Sequence, residues 1–210
     1  MNKRIYACYS PSHKPLLDRH FLPSIPEGFD VVLRRVDQLC PTGVYMSDGW
    51  GATMRNKIQL ILEGINRETE PFVFSDVDVR FYNFKPSDLD ENMKPNDGAT
   101  PDLKCQWDAG QYSVGFMFIR PCEATKRIFT MVAEQSMKFN SDQQAFNGFA
   151  LPHMKEKINV SFLSQDRYWN ISSSISCPPA NLAVHHGNFV VGIDLKMQLM
   201  DSIQAKIEGR

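Results

Sequence analysis

The sequence has no surplus of charge of either sign, since 23 Lys and Arg residues stand against 24 Asp and Glu residues in a chain of 210. A formal net charge of -1 excludes the broad basic surface through which proteins bind DNA, RNA or anionic membranes without specificity. Any anionic ligand must therefore be held by a few local groups, and we expect no nucleic acid among the partners.

Long apolar runs are also missing. No stretch approaches the roughly 20 apolar residues that a membrane-spanning helix needs, and residues 1–6 lead directly into a short strand rather than into the apolar core of a signal peptide. We therefore expect no membrane span and a cytoplasmic location, either for a whole protein or for a domain of a longer one.

The cysteines show no pairing pattern, because there are five of them, widely spaced and without a C-x-x-C motif. A disulfide framework and a structural zinc site are therefore not expected, and five reduced thiols suit a reducing compartment. We expect Cys8 and Cys105 to pack in or beside strands.

The overall composition is that of a globular domain, with 42% hydrophobic, 22% charged and 11% aromatic residues. This balance excludes a disordered chain, a collagen and a coiled coil. Residues 207–210 (Ile-Glu-Gly-Arg) resemble a protease-cleavage linker, so we assign one domain to residues 1–206.

Short apolar runs alternate with amphipathic segments along the chain. Residues 5–9, 29–33 and 71–74 are predicted to be buried strands, and residues 52–66 place their apolar side chains on one helical face. Further strands are predicted at 114–119 and 158–163, helices at 123–139, 142–149 and 193–203, and a long surface loop at 85–102. This order predicts an α/β fold with a mixed, mostly parallel central sheet flanked by helices, which binds ligands at the carboxyl ends of its strands.

Two carboxylates, Asp76 and Asp78, follow the apolar strand at 72–74 directly. Burial of an unpaired charge is costly, so carboxylates at this position need a partner. Two hard oxygen ligands one residue apart can hold Mg²⁺ or Mn²⁺, both of which retain open positions for water and phosphate. The spacing alone is also common in surface turns, and the preceding strand is what favours a metal site.

Two further groups of polar residues have both a functional and a plain interpretation. His185 and His186, followed by Gly192 and Lys196, can supply a nitrogen ligand and a cation for a diphosphate, or can form a simple polar turn. Because the apolar residues 182–184 precede them, we expect a strand there beside the one at 72–74. Residues 141–147 can bind a ligand or merely begin a capped helix, and residues 108–115 can be an ordinary turn and strand.

Taken in order, these features resemble the retaining, DxD-containing glycosyltransferases of the GT-A fold, which use nucleotide-diphospho-sugars. The resemblance covers nearly the whole chain. Its first features are a loop after the first strand, a helix with basic residues and the DxD motif formed by Asp76 and Asp78. A strand ending in Arg-Pro, a D-Q-x-x-x-N element and a final H-x-N…G…K element follow. It implies a single GT-A (Rossmann-like) domain. More narrowly, the sequence is similar to chlorella-virus glycosyltransferases that build capsid glycans, which implies viral capsid glycosylation in the host cytoplasm.

The resemblance implies roles for the matched residues. Asp76, Asp78 and His186 would hold Mn²⁺ or Mg²⁺, and Asp142 and Asp78 would be the catalytic carboxylates. The residues implied to bind a UDP-sugar donor are Ala7, Tyr9, Ser10, Arg55, Lys57, Asp76, Val77, Gly115, Gln143, Gly192 and Lys196.

The resemblance also implies a reaction, the transfer of the donor sugar to a glycan or glycoprotein acceptor with retention of the anomeric configuration. An inverting reaction would instead make Asp142 the acceptor base. Ser113-Val114-Gly115 stands where many relatives have Asn-Thr-Gly, which leaves open the residue that contacts the sugar hydroxyls.

Two alternatives compete with this interpretation. Asp76-Val77-Asp78-Val79 also fits the motif of haloacid-dehalogenase-type phosphatases, although two strands precede it and no later Gly-Asp-x-x-x-Asp motif follows. A sugar-nucleotide or glycan-binding module without turnover is the second alternative. Trp50, Trp107 and Trp169 could stack on sugars in either case, or pack in the core.

Overall fold

The computed structural model describes residues 2–40, 44–95, 98–170, 177–188 and 190–209. Its strands are β1 (Lys3–Tyr9), β2 (Phe29–Arg35), β3 (Phe72–Ser75), β4 (Val79–Phe81), β5 (Leu103–Asp108), β6 (Gln111–Ile119), β7 (Val160–Phe162), β8 (Tyr168–Trp169) and β9 (Val184–His186). They form a six-stranded sheet in the order β2-β1-β3-β6-β5-β7 and a three-stranded sheet in the order β4-β9-β8.

The helices are α1 (Lys14–Leu16), α2 (Trp50–Arg67), α3 (Pro86–Asn92), α4 (Glu123–Phe139), α5 (Asp142–Ala145) and α6 (Ile193–Ile207). Turns of 3₁₀ or π helix flank α1 and follow α5, at Pro11–His13, Leu17–Phe21, Leu22–Ser24, Phe146–Ala150 and Leu151–His153. Within the described ranges, no helix combines the length and the apolar composition needed to cross a membrane.

The central sheet has one reversed strand. β6 runs antiparallel to both of its neighbours, β3 and β5, while the pairs β1–β2, β1–β3 and β5–β7 are parallel. The prediction of a mixed, mostly parallel sheet flanked by helices is therefore confirmed.

Apolar side chains cover both faces of this sheet, because successive residues of a strand point to opposite sides. Phe72 and Phe74 of β3 pack in one cluster with residues of α2 and α4, such as Ile58 and Phe129. Val73 lies in the other cluster, with Phe21 and other residues of the opposite face. All of these side chains are buried, so β3 is fixed from both sides at the point where it leads into Asp76.

The small sheet brings the C-terminal histidines to this point. The strand expected near residues 182–184 begins only at Val184 and includes both histidines. It does not lie beside β3 as expected, because β9 pairs antiparallel with β4, the strand that follows the DxD, and Val79 is paired with His186. The two segments therefore meet through a short antiparallel ladder rather than through neighbouring parallel strands.

Three local expectations need correction. Residues 85–102 are not all loop, since Pro86 begins α3 and Asp88 accepts a hydrogen bond from the backbone N–H of Lys85 (2.8 Å). β5 was not predicted, although its apolar residues Leu103, Cys105 and Trp107 alternate with polar ones as in a strand with one buried face. α6 continues beyond residue 203 to Ile207.

The cysteine expectation agrees with the structure. Cys8 lies in β1 and Cys105 lies buried in β5.

Candidate active site

A cavity of about 550 Å³ opens at the carboxyl ends of β1, β3 and β5. The loops after these strands reach it together with the start of α2, the start of α5 and the segment that leads into α6. Most of the residues predicted to form the site line this cavity: Tyr9, Ser10, Lys57, Asp76, Val77, Asp78, Gly115, Asp142, Gln143, His186, Gly192 and Lys196. The cavity therefore brings together predicted residues from segments far apart in the chain.

Asp78 is a buried carboxylate with two partners. Its side chain is 8% exposed, its Oδ2 accepts from the Lys196 ammonium, and its Oδ1 lies 3.3 Å from Nε2 of His186. Burial alone would raise the pKa of Asp78, but Lys196 and His186 outweigh burial and hold the pKa well below its ordinary value. Asp78 is thus anionic across the physiological range.

Lys57 joins two other carboxylates of the cavity. Its Nζ lies 2.9 Å from Oδ2 of Asp76 and 2.9 Å from Oδ2 of Asp142, and its side chain is 5% exposed. Burial would lower the pKa of Lys57, but the charges of Asp142 and Asp76 outweigh burial and raise it. This buried ammonium connects the DxD to the start of α5.

Asp76, Asp78 and His186 offer a metal-ligand set. One donor atom of each lies within 4.8 Å of the others. Two carboxylate oxygens and one imidazole nitrogen are donors that suit Mn²⁺ and also Mg²⁺. The donor chemistry therefore fits a divalent cation, as the sequence predicted.

Gly115 allows this close assembly. A Cβ atom at this position would lie 2.4 Å from Cε1 of His186 and 2.9 Å from Oδ2 of Asp76. The carbonyl of Gly115 also accepts from the backbone N–H of Asp76 at 2.7 Å. The glycine of the Ser-Val-Gly segment is thus required by the approach of two side chains of the site, whereas its φ angle is not in the left-handed region.

Asp108, which the sequence left as an ordinary turn residue, holds two amides at the cavity wall. Its Oδ2 accepts from Nε2 of Gln143 (2.8 Å) and from Nδ2 of Asn188 (3.1 Å), and the residue is 5% exposed. Asn147, by contrast, bonds both backbone groups of Tyr112 and stabilises the start of β6. The D-Q-x-x-x-N element thus combines cavity residues with a structural one.

Two predicted donor-binding residues lie away from the cavity. Ala7 is fully buried in the core on the face of β1 opposite to Tyr6, and Arg55 is exposed on α2. Neither is among the lining residues. Lys57 lines the cavity and Arg55 does not, because residues two apart on a helix point in different directions. A role of Arg55 in donor binding therefore stays a prediction.

The tryptophans and the part of the cavity beside the end of β1 also differ in part from expectation. Trp50 lines the cavity beside Tyr45, Trp107 is 37% exposed, and Trp169 is buried in a small C-terminal cluster. His13 lines the cavity near Tyr9 and Ser10 and was not predicted; its proximity follows from the helical turn after β1, which sequence spacing does not reveal.

Several solved structures share this fold. Glycosyltransferase GlyE of Streptococcus pneumoniae TIGR4 superimposes with a TM-score of 0.59 at 12% identity, over 100% of this chain but only 63% of the GlyE chain. A glycosyltransferase involved in the glycosylation of the major capsid of PBCV-1 gives 0.58 at 13% identity, over 97% of this chain and 100% of that one. Galactosyltransferase LgtC, solved with donor and acceptor sugar analogues, gives 0.52 at 12% identity, over 96% and 95%.

At such identities these likenesses establish the GT-A fold, and family membership rests on the sequence itself. A comparison with curated proteins gives no significant match. Residues 26–200, which include the DxD, the Asp142 segment and the C-terminal histidines, match the nucleotide-diphospho-sugar transferase family. The chain therefore belongs to the nucleotide-diphospho-sugar transferases and is a glycosyltransferase.

Proposed function

We propose that this glycosyltransferase moves a sugar from a UDP-sugar to a glycan or glycoprotein acceptor, with Mn²⁺ or Mg²⁺ held by Asp76, Asp78 and His186. The observation that carries the proposal is the convergence of these three ligands, 4.8 Å or less apart, at the wall of the cavity. When bound there, the cation would neutralise charge on the departing diphosphate.

Lys196 would act on the same charge. Its ammonium lies at Asp78 and lines the cavity, where a diphosphate bound beside the DxD comes within its reach. A fixed cation in a water-excluded site stabilises the charge that develops on the leaving group. Tyr9 and Ser10, at the end of β1, lie on the cavity side where the uridine would be held.

Asp142 would position the donor sugar rather than remove a proton. Its carboxylate is buried, and its Oδ2 lies 2.9 Å from the Lys57 ammonium, so that oxygen is already engaged by a cation. This pairing, together with the family resemblance, supports retention of configuration. Asp108 and Gln143, which are joined by a hydrogen bond, would complete the wall that faces the sugar.

Proton NMR of the product tests the stereochemistry. We expect the anomeric configuration of the new linkage to equal that of the donor. An inverted linkage, combined with loss of turnover in Asp142→Asn, would contradict this and make Asp142 the general base.

UDP release from UDP-sugars, measured with and without Mn²⁺, tests the activity. We expect release that depends on the metal and increases with a suitable acceptor. Tight donor binding without any turnover would favour the binding module instead. Phosphate release from simple esters would favour the phosphatase, an alternative that family membership already opposes.

The setting of the reaction stays a proposal from the sequence. The fold shared with the PBCV-1 capsid-glycosylating enzyme supports a viral capsid glycan as the acceptor and the host cytoplasm as the location. Transfer to such a glycan, compared with transfer to an unrelated oligosaccharide, tests the first of these.

A further inference from the structure

Gln106 of β5 contacts the imidazole of His186 from the side away from the DxD. The side chain is completely buried, and its Oε1 lies 2.9 Å from Nδ1 of His186. We propose that Gln106 is a positioning residue that holds His186 in the tautomer able to bind a divalent cation. This inference rests on the metal site of the proposed function.

The tautomer follows from the hydrogen bond. An amide oxygen can only accept, so Nδ1 of His186 carries the hydrogen and donates it to Gln106. The lone pair of a neutral imidazole is then at Nε2. Nε2 is the atom that lies 3.3 Å from Oδ1 of Asp78, so it is the nitrogen that faces this carboxylate and would bind a cation shared with it.

The rest of the Gln106 side chain gives an independent reason to assign it a function. Its Nε2 is buried and has no hydrogen-bond partner among the described residues. A buried amide with an unpaired N–H₂ group destabilises a fold relative to an apolar side chain of similar size. Packing alone would therefore favour a Leu or Met at this position, whereas orientation of His186 requires the amide oxygen.

Gly115 restricts the same ring at a neighbouring atom. The space where its Cβ would be is filled by Cε1 of His186, 2.4 Å away. The imidazole is thus restricted at Cε1 by Gly115 and at Nδ1 by Gln106. Partners of this kind, which bind the second nitrogen of a metal-binding histidine, typically change metal affinity by about 10- to 100-fold when removed.

The test compares Gln106→Met, which keeps the size and removes the acceptor, with Gln106→Glu, which keeps an acceptor oxygen. Mn²⁺ affinity is measured by electron paramagnetic resonance of the free ion, and thermal unfolding is measured without metal. We expect Gln106→Met to bind Mn²⁺ about 10- to 100-fold more weakly while its unfolding temperature stays the same or rises. Gln106→Glu should retain the affinity.

Two control variants show what unchanged and abolished Mn²⁺ binding look like in this assay. Gln144→Met changes an exposed glutamine of α5 and should bind Mn²⁺ as the unmodified protein does. His186→Gln should lose the site, since it removes the ligand that Gln106 orients.

Unchanged Mn²⁺ affinity in Gln106→Met would overturn the inference and leave the metal site standing. An equal loss of affinity in the Met and Glu variants would also overturn it, because the acceptor oxygen would then not be what matters. If Gln106→Met does not fold, Gln106→Glu decides alone: retained affinity supports the inference and a loss of about tenfold or more overturns it. Absence of Mn²⁺ binding in the unmodified protein would instead contradict the metal dependence of the proposed function, and the inference with it.

Discussion

At the scale of single residues, the site consists of carboxylates that are each paired with a basic side chain. Asp78 has the Lys196 ammonium on one oxygen and His186 on the other, and Asp76 shares Lys57 with Asp142. Each acidic group thus has a basic partner in the same wall of the cavity. The DxD spacing predicted the acids, but only the fold shows which cation each one faces.

Asp78→Asn should reduce turnover by at least ~10²-fold, which corresponds to about 2.7 kcal/mol of transition-state stabilisation. The amide removes the negative charge that attracts the metal and leaves Lys196 without its carboxylate. Steady-state kinetics with a saturating UDP-sugar and Mn²⁺ measure the effect. Asp90→Asn, a change at a surface carboxylate paired with Lys3, is the control and should retain full activity; comparable rates in both variants would refute the role of Asp78.

Gly115→Ala should both destabilise the protein and weaken Mn²⁺ binding. The added methyl group would lie 2.4 Å from the His186 ring, and relief of such overpacking typically costs about 1–3 kcal/mol. Urea unfolding and Mn²⁺ titration measure the two effects. Gly148→Ala is the matched control, because its Cβ would lie 3.9 Å from the nearest atom of Phe139; equal behaviour of the two variants would show that space at Gly115 is not required.

At the scale of elements, the long periodic segments were predictable and the short ones were not. α4 has the predicted bounds, 123–139, and Ser141 caps α5 as expected by accepting from the backbone N–H of Gln144. β4 and β8 have only three and two residues, too few for an apolar period to be visible. The small sheet that places His186 beside Asp78 consists of such pieces, so its pairing depends on tertiary contacts rather than on local sequence.

The contact between α6 and the helical turns after β1 predicts a pH dependence of stability. His20 is buried, its Nε2 lies 3.3 Å from Oδ1 of Asp201 in α6, and burial lowers the pKa of His20 from 6.5 to about 4. His20 is therefore protonated more easily in the unfolded chain than in the folded protein. The stability contributed by neutral His20 is complete above pH 6.5 and is lost as the pH falls towards 4.

Between about pH 7 and pH 5, His20 should account for a loss of about 2 kcal/mol in the free energy of unfolding. Urea titrations across this range measure it in the unmodified protein and in His20→Gln. The slope of stability against pH should be smaller in the variant. Identical slopes would mean that His20 is protonated as easily in the folded protein as in the unfolded chain.

At the scale of the whole molecule, the sequence predicted the fold, and many of the residues predicted for the site line the cavity because they lie at the ends of recognisable strands or helices. Asp76 follows β3, Asp142 begins α5 and His186 ends β9. Gln106 and His13 escaped detection, since nothing in their local sequence distinguishes them from ordinary strand and turn residues. Their contacts arise only when β5, β9 and the turn after β1 are packed together.

Near-zero net charge makes the binding of an anionic ligand a local property of this cavity. Among the described residues, two ammonium groups line it, those of Lys57 and Lys196, and both already face carboxylates. A nucleoside diphosphate would therefore gain little from unpaired positive charge and should depend on a metal ion for tight binding.

Calorimetric titration of UDP, with and without Mn²⁺, measures directly whether UDP binding depends on the metal. The titration is carried out on the unmodified protein, on His185→Ala and on His186→Ala. We predict that Mn²⁺ raises the UDP affinity by at least ~10-fold, or about 1.4 kcal/mol, in the unmodified protein and in His185→Ala, and has little effect in His186→Ala. UDP binding that is equally tight without Mn²⁺, or equally metal-dependent in all three proteins, would contradict the metal site built from Asp76, Asp78 and His186.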